Sequence, residues 1–344
     1  MERGQCPPCE QGYQATQAQV AVDYRPPQDE GGSGHSSLRY VAGTSVQVRH
    51  RVEWPTVAVA AAIYGGWLAV ILLHEAMPWP ATVLVLTLAI AWHGSLQHEV
   101  LHGHPFSNRW ASEVVGSIPI NLRLPFRVYR RSHISHHECD DLTDPTADTE
   151  SFYVKAATWE RLPAPGRWFL VAHHTLLGRM LLGPLVENTS MLRRDVRAVR
   201  AGDMPLLRWW VAHLTAAAVL FWLVLTVAGV PWWVYLLGVY LGNGLSLVRS
   251  YCEHQWAEGD ATRSIVVRAG WFFRLLFLNN NLHHTHHAEA GVPWYGLPDL
   301  ADRIRSDDLA AAGAGLYSGY GEIFRRHLLR PFDHPVHPLD RAGS

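Results

Sequence analysis

Lysine is all but missing from this chain: Lys155 is the single lysine in 344 residues, and arginine supplies the other basic side chains. Charged residues make up only 17%, against about 25% in ordinary soluble proteins. Basic and acidic residues nearly cancel to a net charge of −1, which gives no footing for a nucleic-acid partner. Cysteine is scarce as well. Cys6, Cys9, Cys139 and Cys252 make no framework of spaced pairs, so a disulfide scaffold is excluded. "CPPC" at 6–9 has the spacing of a metal knuckle, but no second pair follows it. The first 20 residues contain no apolar core, so no signal peptide is expected. Residues 1–50 are polar and rich in Gly, Gln, Ser and Pro, and read as a disordered or loosely ordered tail. Arginine and alanine in bulk with so little lysine suggest a GC-rich, bacterial genome.

The missing charges are not spread evenly. None lies between Trp54 and Leu73, none between Ala76 and Gln97, and none between Trp209 and Val248, where "GVP" at 229–231 interrupts the run. Those stretches make four apolar spans of about 20 residues, the length that crosses a bilayer. The expected fold is therefore an all-α integral membrane protein with four transmembrane helices in two hairpins. Neither short hairpin connection holds an arginine or lysine. By the positive-inside rule both termini and the long segment 98–204 are cytoplasmic, in a bacterial inner membrane. Segments 98–204 and 249–344 then meet on one side as a helical cap. Residues 51–330 are expected to form the membrane domain with its cap, and 331–344 a tail. "WFLVAHHTLLGRMLLGPLV" (168–186) and "SIVVRAGWFFRLLFL" (264–278) read as amphipathic helices lying in the interface.

Against this scarcity of charge stand 21 histidines. "NLHHTHH" puts four in five positions, His283, His284, His286 and His287. "QHEVLH" gives His98 and His102, "RRSHISHH" gives His133, His136 and His137, and "CEHQ" gives His254. On a helix, positions i, i+3 and i+4 share one face, so each cluster can aim two or three imidazoles at one point. His98 begins the first cluster where the second span ends and His254 lies six residues past the fourth, so all four groups can converge on that side. Neutral imidazole is the commonest metal ligand. Nine are too many for one ion, since zinc sites are nearly always four-coordinate; nine suit two ions with four or five ligands each. Imidazole accepts Fe, Zn, Cu and Ni, so spacing alone does not name the metal.

The boxes "HEVLH", "HISHH" and "HHTHH", the last read as His283-x-x-His286-His287, resemble those of the membrane-bound fatty acid desaturase and hydroxylase superfamily. "NNNLHHTHHAEAGVPWYGLP" and "DDLTDPTADTES" are similar to its third-box and second-box surroundings, and the likeness runs over about residues 50–300. It implies two Fe ions cycling between Fe2+ and Fe3+, O2 as co-substrate, and electrons from a ferredoxin- or cytochrome-type donor. It also implies His98, His102, His133, His136, His137, His254, His283, His286 and His287 as ligands. Some relatives carry an asparagine four residues before the equivalent of His254, where this chain has Ser250. Metal-bound imidazoles usually donate their other N–H to a carboxylate or carbonyl, and Glu253 and Asn281, with Glu99, Asp140 and Asp141 behind them, stand ready for that. The implied activity is oxidation of unactivated C–H bonds, foremost desaturation of a fatty acyl or lipid chain. Hydroxylation of a lipid, carotenoid or small polar substrate is the alternative.

Other histidines are expected to stay out of the site: His104 and His284 beside the boxes, His93 inside a span, His173 and His174 on the interfacial helix, His74 across the membrane, and His334 and His337 in the tail. Arg123, Arg127, Arg130 and Arg131 form a basic patch that would steer an acidic electron carrier. "HEVLH" also spells the zinc-protease motif H-E-x-x-H, a reading that leaves seven histidines unexplained. A haem or metal carrier would place its ligands inside the bundle rather than at one end of it.

Overall fold

The structure is a computed structural model and describes residues 52–258 and 263–342. The N-terminal segment 1–50, with Cys6 and Cys9, lies outside the described residues. In chain order the helices are α1 (Trp54–Leu73), α2 (Trp79–Leu101), α3 (Arg109–Ser117), α4 (Phe126–His137), α5 (Ala156–Arg161), α6 (Ala164–His173), α7 (Leu176–Arg200), α8 (Met204–Thr226) and α9 (Trp232–Ser250). After these come α10 (Trp271–Leu276), α11 (His283–Ala288), α12 (Leu297–Arg303), α13 (Ser306–Ala312), α14 (Tyr320–His327) and α15 (Pro338–Ala342). Two short strands, β1 (Val266–Val267) and β2 (Leu316–Tyr317), pair in parallel.

Among the described residues, three helices are long and apolar enough to cross a membrane, α1 with its 3-10 extension to Ala76, α2 and α8, of 23 residues each, or four if the bent pair α6–α7 is one span. At 1.5 Å per residue that is roughly 34 Å, more than the ~30 Å hydrocarbon core. Each of the three starts with a proline in its first turn (Pro55, Pro80, Pro205), where the missing N–H costs nothing. On α8, Leu214, Val219, Trp222 and Leu223 are exposed, as lipid-facing side chains are. The fourth expected span corresponds to α9, which is shorter, at 19 residues, and less apolar. Its polar and small residues face protein: Gly238, Gly242, Asn243, Gly244 and Val248 are buried.

The contact that organises the bundle is α2 against α9. A Cβ on Gly238 would lie 2.6 Å from Cβ of Leu86, and one on Gly242 would lie 2.5 Å from Cβ of Ile90 and 2.9 Å from the Thr87 carbonyl. Gly94 meets Ser246 one turn on. The pairs 86–238, 90–242 and 94–246 advance together, so the two helices run parallel, in register, along a small-residue seam. Their C-terminal ends therefore emerge side by side.

Both expected interfacial helices are corrected by the structure. Segment 168–186 is two helices, α6 and α7, bent by 110° where they meet. Thr175 ends the first and caps the second, its Oγ1 accepting from Gly178 N at 3.0 Å. Segment 264–278 begins as β1, because Ile265, Val266 and Val267 are a β-branched run that finds a partner: Val266 N donates to Gly315 O at 3.1 Å and Arg268 N to Tyr317 O at 2.8 Å. Only Trp271–Leu276 is helical. The stretch after residue 330 packs on the fold rather than trailing from it: Val154 N donates to Pro335 O at 2.8 Å, His337 N to Val154 O at 3.1 Å, and Val336 and His337 are buried.

Candidate metal centre

Four segments deliver the histidines. α2 carries His98 in its last turn and ends on His102, four residues on. The last two turns of α4 present His133, His136 and His137. The chain leaving α9 turns through Tyr251–Glu253, and His254 is pinned by an antiparallel bridge to Ser264. Before α11, Leu278 and Asn279 adopt the left-handed conformation (φ 48° and 54°), which reverses the chain so that α11 points its face back at α2 and α4. The Asn279 amide holds that reversal by donating to Trp294 O at 2.9 Å.

Eight imidazoles gather into two groups of four. One is His98, His102, His133 and His286; the other is His136, His254, His283 and His287. Within each group one ring nitrogen per residue lies within 4.8 Å of all the others. His137 stands between the groups, its Nε2 at 3.0 Å from Nε2 of both His133 and His286 and its ring stacked on His287 at 4.2 Å. All nine histidines expected at the site are thus brought together.

The nitrogens that converge are largely Nε2 atoms. His136 Nδ1 lies 2.6 Å from Asp148 Oδ1, and His254 Nδ1 donates to Arg263 O at 3.3 Å. With Nδ1 so engaged, the Nε2 atoms of the two rings face each other 2.9 Å apart, and a proton or a metal ion has to lie between them. His283 Nε2 lies 2.9 Å from His254 Nε2 and His287 Nε2 lies 3.3 Å from His136 Nε2. Such crowding of lone pairs is repulsive unless a cation sits among them. Ligands on bonds of about 2.1 Å, at 90–109° to one another, stand roughly 3.0–3.4 Å apart. His98 Nε2 and His102 Nε2 are buried with no hydrogen-bond partner, as ligand nitrogens aimed at an ion would be. The donor set therefore fits two metal ions.

Electrostatics agree. Burial, and then the neighbouring imidazoles, hold His102, His137 and His287 well below the usual histidine range, so they are neutral at pH 7 and free to ligate. His136 is the exception. Burial lowers it, yet Glu150 and Asp148 outweigh burial and raise it to about 9. A positive charge is wanted at its Nε2, and a metal ion answers that demand for four nitrogens at once where a proton answers it for two.

The groups that orient the rings differ in part from those expected. Glu253 is in place: its Oε1 is 3.7 Å from His283 Nδ1 and accepts from Asn280 Nδ2 at 2.7 Å, with Arg249 Nη1 at 3.0 Å. Burial raises its carboxyl to about 7 against the pull of Arg249. Asn281 is not. Its amide donates to Val267 O at 2.7 Å and fastens β1, while the neighbouring Asn280 Oδ1 lies 3.4 Å from His283 Nδ1. Asp140 and Asp141 are exposed. The carboxylates that reach the second box are Asp148 and Glu150, the latter 2.9 Å from His133 Nδ1. They sit in the quoted "DPTADTES", but only the folded turn, in which Thr143 N and Glu150 N both donate to Asp148 at 2.8 Å, shows that the chain doubles back. Glu99 accepts from Trp294 N at 3.0 Å and groups with Glu53 and His104 rather than with the converging histidines.

The remaining histidines stay apart from the two groups. His104 binds Glu53 through Nδ1 at 2.7 Å, and with Glu53 and Glu99 makes a separate buried cluster. His284 Nδ1 lies 2.8 Å from Ser306 Oγ, and His93 Nε2 3.1 Å from Tyr64 Oη. His174 Nε2 donates to Phe152 O at 3.1 Å, and His173 is buried beside it. His74 meets Ile71 O at 2.9 Å and His337 meets Thr143 Oγ1 at 3.2 Å. The basic patch is largely spent within the chain. Arg123 pairs with Glu187, Arg127 with Glu113, and Arg131 with Asp203 at 2.7 Å.

The family whose model matches the chain is described as fatty acid desaturase, over residues 77–319, well beyond half of the 344. All nine clustered histidines fall inside that span. No curated protein matches the chain.

Proposed function

The chain belongs to the fatty acid desaturase family, and on that footing we propose that it is a membrane di-iron oxidase that removes hydrogen from unactivated C–H bonds of a lipid chain, with desaturation as its reaction. Its membership makes it an oxidoreductase of lipid metabolism, and its apolar helices fit an integral membrane protein. The observation that carries the di-metal reading is the convergence of eight imidazoles into two groups of four, one ring nitrogen of each within 4.8 Å of all the others in its group.

We assign His98, His102, His133 and His286 to one iron and His136, His254, His283 and His287 to the other, with His137 between them. When bound, the irons supply O2 activation and the oxidising power for C–H cleavage. The chain's own residues do the rest. Asp148 and Glu150 hold the rings of His136 and His133 by Nδ1, and Asn280, itself donating to Glu253, meets Nδ1 of His283. Burial of these groups keeps bulk water from the oxidising centre. In balance, a saturated –CH2–CH2– unit, O2, two electrons and two protons give the alkene and two waters; hydroxylation gives the alcohol and one water. The electrons come from a ferredoxin- or cytochrome-type donor. With three of its four arginines paired internally, the patch beside the second box is a weaker landing site for that donor than the sequence suggests.

For the membrane we propose four crossings, α1–α2 and α8–α9, in a bacterial inner membrane with both termini and the metal centre cytoplasmic. The parallel register of α9 with α2 supports the fourth: a helix alongside a spanning helix over 19 residues rises about 28 Å. The segment 1–50 is proposed as a cytoplasmic tail. The test of function is the protein purified with iron, given reduced ferredoxin, O2 and acyl lipids, with mass spectrometry of the products. Loss of two hydrogens supports desaturation and gain of one oxygen supports hydroxylation. One zinc per chain with peptide cleavage sinks both.

A further inference from the structure

Asp148 and Glu150, which face Nδ1 of His136 and His133, sit in the stretch between α4 and α5, where no helix forms. Its shape therefore depends on hydrogen bonds outside any regular ladder. Some come from within: Thr143 N and Glu150 N donate to Asp148, and Ser151 Oγ donates to Thr143 O at 2.5 Å. In this turn Thr143 takes the left-handed conformation, at φ 76°. A β-branched residue is an outlier there, and such backbone persists only where its surroundings hold it.

The hold comes from the far end of the chain. His337 is buried, and its Nε2 lies 3.2 Å from Thr143 Oγ1, 194 residues away in sequence. Val154 and Val336 form a parallel bridge, closed by Val154 N to Pro335 O at 2.8 Å and His337 N to Val154 O at 3.1 Å. Tyr153 Oη donates to Asp333 Oδ2 at 2.8 Å, and Ala156 N to Asp340 Oδ2 at 3.3 Å. The stretch is thus gripped on both sides of its carboxylates, at Thr143 and at 153–156. Phe332 and Asp333 also close a small cavity whose other walls include Asp148, Glu150 and His254. Resting on the di-iron reading above, we infer that His337 is a positioning residue for the metal centre. Through Thr143 it sets Asp148 and Glu150, and through them the rings of His136 and His133. A segment that reads in sequence as a tail thereby governs how tightly the centre holds iron.

The test measures two quantities on the full-length protein: amide hydrogen exchange across residues 140–155 without metal, and iron affinity by titration. His337→Ala should speed that exchange and weaken iron binding, each on the order of tenfold, the lower end of what losing an orienting partner costs. His337→Gln, whose amide can still meet Thr143 Oγ1, should restore both. Thr143→Gly separates positioning from a merely structural role. Glycine takes the left-handed conformation without strain, so the turn no longer needs its hold. Adding His337→Ala to Thr143→Gly should then leave iron affinity within about twofold of Thr143→Gly alone. Should His337→Ala not fold, Tyr153→Phe, which cuts the link to Asp333, is expected to move both readouts in the same direction. Unchanged iron affinity in His337→Ala overturns the inference even where exchange quickens, as does an equal loss of affinity with threonine or glycine at position 143. Faster exchange in His337→Ala, when the unaltered protein takes up no iron, overturns the di-iron reading instead and leaves the grip of His337 on the turn standing.

Discussion

His136 and His254 stand 118 residues apart in the chain and face each other through Nε2 atoms at 2.9 Å, each with its Nδ1 already engaged by Asp148 or Arg263. A proton on His136 can bridge that one pair, but only a metal ion serves all four nitrogens of the group. Removing iron with a chelator should therefore destabilise the protein and lower its melting temperature, and restoring iron should recover it. The gain for a ligand at 100 times its Kd is about 2.7 kcal/mol. A melting temperature that is the same with and without iron would show that the nitrogens tolerate one another unaided.

Alanine replacements separate ligands from bystanders. His286→Ala takes a nitrogen from a group of four and should empty or half-empty the centre, with loss of turnover. His284→Ala, whose ring meets Ser306, should keep two irons. His173→Ala, in the α6–α7 bend, should keep them as well. Elemental analysis of the three purified variants decides. Two irons in His286→Ala would remove the third box from the site.

Asp148→Asn tests the orienting carboxylates. The asparagine keeps the size but loses the charge that favours the Nδ1 hydrogen on His136. We expect iron affinity to fall about 10- to 100-fold, the usual effect of losing such a partner, while Asp141→Asn, in an exposed position, changes nothing. Iron titration monitored by its absorption reads both.

Gly242→Val probes the seam between α2 and α9. The new Cβ would fall 2.5 Å from Ile90 Cβ and 2.9 Å from the Thr87 carbonyl, so backbone has to move. A loss of at least about 1–3 kcal/mol is expected, seen as a lower midpoint of unfolding in detergent. Gly65→Ala on α1, where nothing lies within 4 Å of the new methyl, is the control.

Topology is open to labelling. In a variant freed of its native cysteines, Glu75→Cys in the α1–α2 connection should react with an impermeant maleimide from the periplasmic side. Glu160→Cys should react only from the cytoplasm. Reaction of both from one side defeats the four-crossing arrangement.

Much of the site was legible because ligand chemistry is written locally. Histidines at i, i+3 and i+4 on α4, or at i and i+4 on α2, share a face whatever the rest of the chain does, and all nine named from spacing and resemblance meet in the fold. His284, out of phase with its neighbours, and His104, beyond the end of α2, stand apart from the two groups, on Ser306 and on Glu53. The orienting groups were less legible. Asp140 and Asp141 are closer in sequence to His136 than Asp148 is, and only the turn held by Thr143 N and Glu150 N brings the later carboxylates back. Asn280 and Asn281 differ by one position in a tight turn, which spacing does not resolve. The apolar spans gave α1, α2 and α8 from composition alone. Segment 264–278 was misread because its hydrophobicity carries no sign of a strand partner 50 residues downstream.

The glycine seam also works as a gauge. α2 ends in His98 and His102, which belong to one group, and the chain leaving α9 supplies His254 to the other. The level of one group relative to the other is therefore fixed by how far α9 is slid along α2. A slip of a single residue, about 1.5 Å, far exceeds the roughly 0.2 Å tolerance of a metal–ligand distance. Gly238 and Gly242, locked over Leu86 and Ile90, hold that setting from deep within the bundle.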